Sequence, residues 1–478
     1  MAQQHLDRLA AIDVSFLTNE SATTHMHVGA ILVFEGPPPD YGDLLEHVSD
    51  RLHLVPRFRQ KLAFPPLQAG RPFWVDDPAF NLEYHVRHSA LPPPGSEDQL
   101  RRMAGRIYSQ QLDRTKPLWE LWLVEGLTRK RFALVTKTHH ALVDGVSGVD
   151  IATVLFDLQP VPEPAEPEHE WAPSPEPSTT RMLTKGVEGL AAAPLALARR
   201  ALGAIEHPDR TARRVAEAAE GIGEVGWALA NPAPDVPLNV EIGSHRRFAW
   251  VRSDLAQFKR IKDALGGTVN DVVLATVAGA LRGWLRQRGL RTEGLELRAL
   301  VPVSIRTQDE RGHLGNRIAA MRGPLPIHID DPVKRLDAVA AAMRDLKSSK
   351  QALGAEVISR FNDFAPPTLL AQASRLNFST RLFNLIVTNV PGPQIPLYML
   401  GRELEDVFPV AFLPKHHALA IAIMSYNGGI DFGLLADYDA VDDLDVIADG
   451  IERSIGELVA AAQGDAVAPG AGKRPAPA

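Results

Sequence analysis

Short runs rich in apolar and β-branched residues predict strands in the first half of the chain. They cover residues 29–34, 119–124 and 131–138. The last two runs are separated only by residues 125–130, which include Gly126. A connection of that length suits a hairpin, so we expect these two strands to be antiparallel neighbours.

The second half mixes helical and strand patterns. Apolar residues recur at helical spacing from Leu255 to Leu265, and Gly266 predicts the end of that helix. Thr268 and Asp271 have the spacing of a capping box, with Asp in place of the usual Glu. Further buried elements are expected as a helix over 272–285 and as strands over 297–305 and 385–390. The mixture predicts an α/β fold.

Proline-rich stretches divide the chain into halves. Between Pro160 and Pro177 prolines alternate with glutamates, which predicts an extended, solvated linker. An Ala-, Leu- and Arg-rich stretch follows, and a second proline cluster closes it at Pro237. We therefore predict an N-terminal domain over 1–158, a Pro/Glu-rich linker and helical connector over 159–237, a C-terminal domain over 238–464 and a disordered tail over 465–478.

Composition narrows the class of protein. The chain has 478 residues, of which 45% are hydrophobic and 23% charged, as in soluble globular proteins. A net charge of −7 gives no basic footprint for nucleic acid, and the lack of cysteine excludes disulfides, thiolate metal sites and a cysteine acyl-enzyme. With neither a secretory signal nor an apolar run of bilayer length, we expect a cytoplasmic protein whose membrane contact is peripheral.

The segment His139-His140-Ala-Leu-Val-Asp144-Gly145 directly follows the strand predicted over 131–138. A histidine at a strand end is held by rigid backbone while the adjoining loop can admit a substrate. Imidazole titrates near neutral pH, so His140 is a candidate general base for an alcohol. Asp144 can fix the loop through a turn without taking part in the chemistry. A bare His-His pair is more often an ordinary core or surface pair.

Within its strand context, the His-His-x-x-x-Asp-Gly pattern resembles the active-site signature of the chloramphenicol-acetyltransferase-like acyltransferases. Further segments resemble the bacterial wax ester synthase/diacylglycerol acyltransferase family, in order along the chain. They are residues 16–29 with Met26-His27-Val28-Gly29, Pro117-Leu118-Trp119-Glu120, residues 270–275, residues 301–306, Gly315-Asn316 and residues 389–393. The resemblance runs from about Phe16 to Glu457.

The resemblance implies two chloramphenicol-acetyltransferase-like domains with a tunnel at their junction. It implies an O-acyltransferase that moves a long-chain acyl group from acyl-CoA to diacylglycerol, giving triacylglycerol, or to a long-chain alcohol, giving a wax ester. Acyl-CoA is then a co-substrate, and neither a cofactor nor a metal is expected. Peripheral contact with the inner membrane or with lipid droplets is a further expectation.

The resemblance also marks His140 as the general base and His139 as its supporting residue. The candidate substrate-binding residues are Gly145, Pro117, Leu118, Trp119, Asn270 and Ser304. Each has a structural alternative: Pro117 and Trp119 can serve packing alone, and Asn270 can serve only to begin a helix.

Two departures from the family pattern concern the acyl site. Thr388 stands where the family commonly has Ser, and His25 stands where it commonly has Pro. Two alternative functions stay open at this point: a non-catalytic lipid-binding or lipid-droplet-associated protein with the same fold, and a condensation domain of a peptide synthetase. The absence of carrier domains and the segment at Asn270 argue against the second.

Overall fold

The computed structural model describes residues 7–66, 70–143, 154–161, 171–184, 230–304, 318–348 and 378–464. The predictions for Asp144 and Gly145 lie outside the described residues, and Ser304 is described only as the last residue of a strand. The strands are β1 (Asp7–Arg8), β2 (His27–Phe34), β3 (Gln60–Ala63), β4 (Phe73–Asp76), β5 (Val86–Ala90), β6 (Trp119–Leu127), β7 (Arg131–His139), β8 (Arg246–Val251), β9 (Leu297–Ser304), β10 (Ile318–Leu325), β11 (Leu385–Pro391), β12 (Tyr398–Met399), β13 (Arg402–Val410), β14 (Leu419–Tyr426) and β15 (Gly429–Asp437). The helices are α1 (Ala11–Asn19), α2 (Tyr41–Ser49), α3 (Leu82–His85), α4 (Glu97–Tyr108), α5 (Leu255–Leu265), α6 (Val269–Gln287), α7 (Pro332–Ser348) and α8 (Leu444–Ala462).

Two six-stranded sheets form the framework. The first has the order β12-β13-β2-β7-β6-β5 and the second the order β10-β9-β11-β14-β15-β8. A small sheet of β1, β4 and β3 lies beside the first. The expected hairpin is confirmed, because β6 and β7 pair antiparallel and only residues 128–130 connect them. Gly126 lies inside β6, where it adopts a positive φ of 81° at a shift in the pairing register.

The helix signals of the second half are also confirmed. α5 spans the predicted residues. Thr268 and Asp271 form a reciprocal capping box, in which Thr268 Oγ1 accepts from the Asp271 N–H at 3.2 Å and the Thr268 N–H donates to the Asp271 carboxylate at 2.8 Å. Because the cap satisfies otherwise unpaired N–H groups, α6 begins at Val269, three residues before its apolar run.

Both faces of the first sheet are buried, which explains the unbroken apolar runs in its central strands. Ile31 and Val33 of β2 belong to one apolar core, while Leu32 and Phe34 belong to another on the opposite face. The core that contains Ile31 continues without a break into the second sheet and the helices packed on it.

One strand ties the two halves of the chain together. β13 comes from the second half, yet it pairs with β2 of the first sheet. It also packs closely on the second sheet: a Cβ placed on Gly433 of β15 would lie 1.8 Å from the Pro409 carbonyl oxygen. The boundary at 159–237 stays a prediction, and the first sheet takes strands from both sides of it.

Part of the predicted connector lies against the N-terminal half. Trp171 stands edge-on to Phe80 and beneath the Arg59 guanidinium, so residues 171–178 run along the N-terminal half.

Within the described ranges, no single helix combines the length and apolarity of a membrane span, and α5 and α6 pass that test only as a pair bent by 98°.

Candidate active site

The two adjacent histidines stand at the end of β7. His139 is the last residue of the strand and lies opposite His27 of β2 in the antiparallel register. The His139 N–H donates to the Leu118 carbonyl at 2.9 Å, and the His140 N–H donates to the Met26 carbonyl at 2.7 Å. Neighbouring segments of the first half thus fix the backbone of both histidines.

Aromatic side chains from both halves of the chain enclose the half-buried His140 ring. Phe16 of α1 stacks on one face, with ring centroids 4.0 Å apart and an interplanar angle of 22°. Phe412, just after β13, meets the ring edge-on at 5.5 Å. Among the described residues no hydrogen-bond partner is found for His140 Nδ1. The imidazole therefore sits in an apolar setting where the two halves meet.

This setting decides the protonation state of His140. Burial, with a smaller contribution from the neighbouring His139, lowers the pKa of the imidazole to about 4. At pH 7 the ring is therefore neutral and free to accept a proton.

His139 has different surroundings, since its side chain is only 1% exposed. The Ala141 N–H donates to His139 Nδ1 at 3.0 Å, which leaves the ring proton on Nε2. Nε2 faces the Glu20 carboxylate at 3.6 Å. Both nitrogens of His139 are thus directed at protein atoms, whereas no hydrogen bond to the His140 ring is found in the described part of the chain.

Glu20 is the centre of a buried polar cluster behind the two histidines. Arg114 contacts its carboxylate through Nε at 2.7 Å and Nη2 at 2.5 Å, and His27 Nε2 lies 3.3 Å from Oε1. Burial alone would raise the pKa of Glu20, but His139 and His27 hold it well below its usual range. Burial lowers the pKa of His27 to about 3. The arrangement is an ionised carboxylate paired with Arg114 and flanked by a neutral His27.

The space around Gly29 explains why the Met-His-Val-Gly segment has glycine at this position. Tyr108 of α4 donates its hydroxyl to the Thr136 carbonyl at 2.5 Å, directly over this position. A Cβ on Gly29 would lie 2.1 Å from that carbonyl oxygen and 2.4 Å from the Tyr108 hydroxyl. A side chain here would separate β2 from β7 next to the histidines.

Three predicted substrate-binding residues lie in the interior. Pro117 and Leu118 are buried, and the Leu118 carbonyl anchors the backbone of His139. Trp119 is 1% exposed, donates its indole N–H to the Phe58 carbonyl at 2.8 Å and stacks on His85. The contacts that these three residues make are packing and backbone support.

The remaining candidates come from the second half. Asn270 lies in the first turn of α6, where Asn389 of β11 approaches its side-chain oxygen at 3.5 Å. Two segments noted in the sequence, around Asn270 and Asn389, therefore meet. His417, from the second His-His pair, directs both ring nitrogens at backbone carbonyls and stacks on Phe383. It has the contacts of a structural histidine.

Sequence reasoning missed Phe16, Glu20, His27 and Phe412 as parts of the site. The first three lie in the segment 16–29 that carries the family resemblance, so their position in that segment was a usable signal. Phe412 carried none, because it reaches His140 only through the placement of β13 in the first sheet.

A polar cavity of about 710 Å³ opens where the two halves meet, but it does not include His140. It is lined by Glu97, Arg129, Arg131, Arg252, Glu403 and Asp406, among others. Because Arg131 and Arg252 form ion pairs with Glu97, Glu405 and Asp406 in its lining, we do not assign it to a lipid substrate. Within the described ranges no group of His, Cys, Asp and Glu residues is arranged to hold a metal ion.

Comparisons with known families agree with this geometry. The profile of the wax ester synthase/diacylglycerol acyltransferase catalytic domain matches residues 9–273, and that of the family's C-terminal domain matches residues 314–459. A diguanylate cyclase (GGDEF) profile matches residues 238–330. That stretch contains no Gly-Gly-Asp-Glu-Phe sequence and supplies β8, β9 and β10 to the second sheet.

Two curated relatives resemble nearly the whole chain. A putative diacylglycerol O-acyltransferase of Mycobacterium bovis is 33% identical over 461 residues, which is 95% of this chain and 96% of the relative. A probable diacylglycerol O-acyltransferase of Mycobacterium tuberculosis, tgs2, is 34% identical over 472 residues, which is 95% of this chain and 99% of the relative.

Solved structures resemble the fold across both halves. The wax ester synthase/diacylglycerol acyltransferase from Marinobacter aquaeolei VT8 matches with a TM-score of 0.66 and 29% identity, covering 95% of this chain and 100% of that one. A starter condensation domain of rhizomide synthetase, in complex with C8-CoA and Leu-SNAC, matches with a TM-score of 0.58 at 13% identity, covering 96% and 94%. The second similarity concerns the fold alone.

Proposed function

Because this chain belongs to the wax ester synthase/diacylglycerol acyltransferase family and is therefore an acyltransferase, we propose that it transfers a long-chain acyl group from acyl-CoA to diacylglycerol, with His140 as general base. A long-chain alcohol is the second acceptor, giving a wax ester. The single observation that carries the role of His140 is the enclosure of its ring by Phe16 and Phe412 where the halves meet, beside a His139 whose nitrogens are both directed at protein atoms.

In the proposed reaction His140 removes the proton of the acceptor hydroxyl as the oxygen attacks the thioester carbonyl. The tetrahedral intermediate collapses, the ester forms and the carbon–sulfur bond to CoA breaks. The imidazolium then returns its proton to the leaving thiolate. The low pKa of His140 favours this return, and no acyl-enzyme is needed, in keeping with the absence of cysteine.

Glu20 and His139 have positioning roles in this proposal. The ionised Glu20 orients the His139 ring, and the His139 main chain and side chain hold the start of the loop that carries His140 and leads to Asp144. Glu20→Gln keeps the size of the side chain but removes its charge. We expect it to lower kcat about ten- to a hundredfold while KM for acyl-CoA changes little.

The other predicted residues divide into candidates for substrate contact and residues of the core. Asn270, Ser304 and Gly145 remain candidates for substrate contact, whereas Pro117, Leu118 and Trp119 support β6 and β7 from the core. Acyl-CoA and the lipid alcohol are the proposed partners.

The proposal is tested by incubating the purified protein with radiolabelled palmitoyl-CoA and with diacylglycerol, hexadecanol or glycerol, and identifying the lipid product. We expect triacylglycerol from diacylglycerol and a poor reaction with glycerol, because each additional buried methylene contributes about 0.8 kcal/mol. Equal rates for glycerol and diacylglycerol at matched low concentration would overturn the lipid assignment. No transfer to any acceptor would favour the non-catalytic lipid-binding alternative.

We further propose peripheral membrane contact through the connector. Between 181 and 214 basic residues outnumber acidic ones beside several leucines; most of this stretch lies outside the described residues. Replacing Arg199, Arg200, Arg213 and Arg214 by Gln should weaken sedimentation with anionic vesicles. Unchanged sedimentation would exclude that role.

A further inference from the structure

The loop between α1 and β2, residues 20–26, carries two contacts on which the candidate site depends. Glu20 at its start faces His139, and the Met26 carbonyl at its end accepts the His140 N–H at 2.7 Å. Any shift of this loop would therefore move both the buried carboxylate and the backbone of the proposed base.

His25 fastens the loop to α4. Its side chain is only 5% exposed, and its ring lies between two carbonyl oxygens, Ala22 O at 3.1 Å from Nε2 and Tyr108 O at 3.3 Å from Nδ1. The ring also stacks on His27 with centroids 5.5 Å apart. Nε2 thus faces the backbone of the loop itself and Nδ1 faces the last residue of α4, and the neutral ring donates its single N–H to one of these two carbonyls.

Arg246 fastens the same loop from the second half of the chain. This residue begins β8, its side chain is buried, and its guanidinium donates to the Thr23 carbonyl in the middle of the loop. The same group is held by the Gly243 carbonyl at 2.7 Å and the His245 carbonyl at 2.9 Å. The Arg246 N–H donates to Ser109 Oγ, just beyond α4, at 2.8 Å.

We propose that His25 and Arg246 form a clamp on residues 20–26 and act as positioning residues for His140, so that the site is complete only when the second half is docked. This inference rests on the proposed role of His140. It gives two buried residues that touch no reacting atom an effect on catalysis, and it makes β8 of the second sheet part of the support for a base that directly follows β7 of the first.

The test compares His25→Ala with a matched control, His417→Ala. His417 is also buried and directs both ring nitrogens at backbone carbonyls, but the contacts found for its ring are with Lys415 and Phe383 and not with residues 20–26. Both variants should lose thermal stability. Only His25→Ala should lower kcat, by about tenfold with KM for palmitoyl-CoA nearly unchanged, because a misplaced base slows chemistry without weakening binding.

Two further measurements separate positioning from general destabilisation. His25→Asn places an amide where Nδ1 lies, so it can donate to the Tyr108 carbonyl and should restore most of kcat. Hydrogen–deuterium exchange should become faster in peptides covering 20–27 and 135–143 of His25→Ala and of Arg246→Met, and should stay unchanged there in His417→Ala.

Each outcome has a distinct meaning. An active wild type in which kcat and exchange of His25→Ala match those of His417→Ala would overturn the clamp. Equal loss of kcat in both variants would also overturn it, because the effect would then follow stability alone. An inactive wild type whose loop still exchanges faster in His25→Ala would overturn the acyltransferase proposal and leave the clamp as a feature of the fold.

Discussion

Replacing Phe16 by Ala should raise the pKa of His140 and move the acid limb of its pH–rate profile. Phe16 covers one face of the imidazole at 4.0 Å, while Phe412 touches only its edge. Burial is the main cause of the low pKa of about 4. Removing the larger cover admits water to the ring, which stabilises the charged form and returns the pKa toward its ordinary value near 6.5.

The size of the effect follows from the neutral fraction of the base. With a pKa of about 4, about 90% of His140 is neutral at pH 5; with a pKa of about 6.5, about 3% is neutral. The ratio of about thirtyfold is an upper bound, because Phe412 remains in place. We expect activity of Phe16→Ala at pH 5 to fall about five- to thirtyfold relative to its own value at pH 8.

The assay is kcat/KM for palmitoyl-CoA between pH 4 and 9, which reports the free enzyme's pKa. Phe16→Leu retains an apolar cover and should keep an acid limb close to that of the wild type. Phe378→Ala is the packing control, because Phe378 contacts Phe16 and Phe412 and has no ring contact with His140. An unshifted acid limb in folded Phe16→Ala would refute burial as the cause, and so would a wild-type limb already near 6.5.

Two further predictions concern the contact between β13 and β15. Gly433→Ala should destabilise the protein by about 3 kcal/mol in urea unfolding, since its Cβ would lie 1.8 Å from the Pro409 carbonyl oxygen. Gly456→Ala, in an open position on α8, is the control and should be neutral or stabilising. Equal effects of the two substitutions would contradict close packing at Gly433. Burial, together with the nearby Asp406, raises the pKa of Asp431 to about 7. A raised carboxyl pKa makes the folded state lose stability as the pH rises from about 4 to 7, so Asp431→Asn should gain up to about 4 kcal/mol relative to wild type at pH 8 and nothing at pH 4. A gain that does not depend on pH would contradict that titration.

Local patterns in the sequence predicted the elements that depend on nearby residues. Strands β2, β6 and β7 and the helix α5 follow directly from runs and spacing, and the capping box at Thr268 follows from two residues. The place of β13 could not be read this way, because its apolar residues suit any buried strand. Its pairing with β2 depends on contacts between residues more than 350 positions apart in the chain.

In the candidate site, too, the sequence predicted the residues that belong to a local pattern and missed those that long-range contacts bring in. His140 was identified because its motif is local and follows a strand, and His139 and Asp144 came with it. Glu20 and Phe412 were not, since a single glutamate and a single phenylalanine carry no pattern. Leu118 and Trp119 match a family segment, yet their side chains fill the core. The sequence could not show this, because a short segment does not reveal which face of its strand is covered.

Single-turnover acyl transfer by His140→Ala, His139→Ala and Asp144→Asn, with a melting curve for each, tests the role of His140 most directly. Removing a general base typically costs about a hundred- to ten-thousandfold. We predict that folded His140→Ala binds substrate but has almost no turnover, that His139→Ala keeps measurable activity, and that Asp144→Asn falls between them. A folded His140→Ala protein that transfers acyl groups at close to the wild-type rate would contradict general-base catalysis by His140.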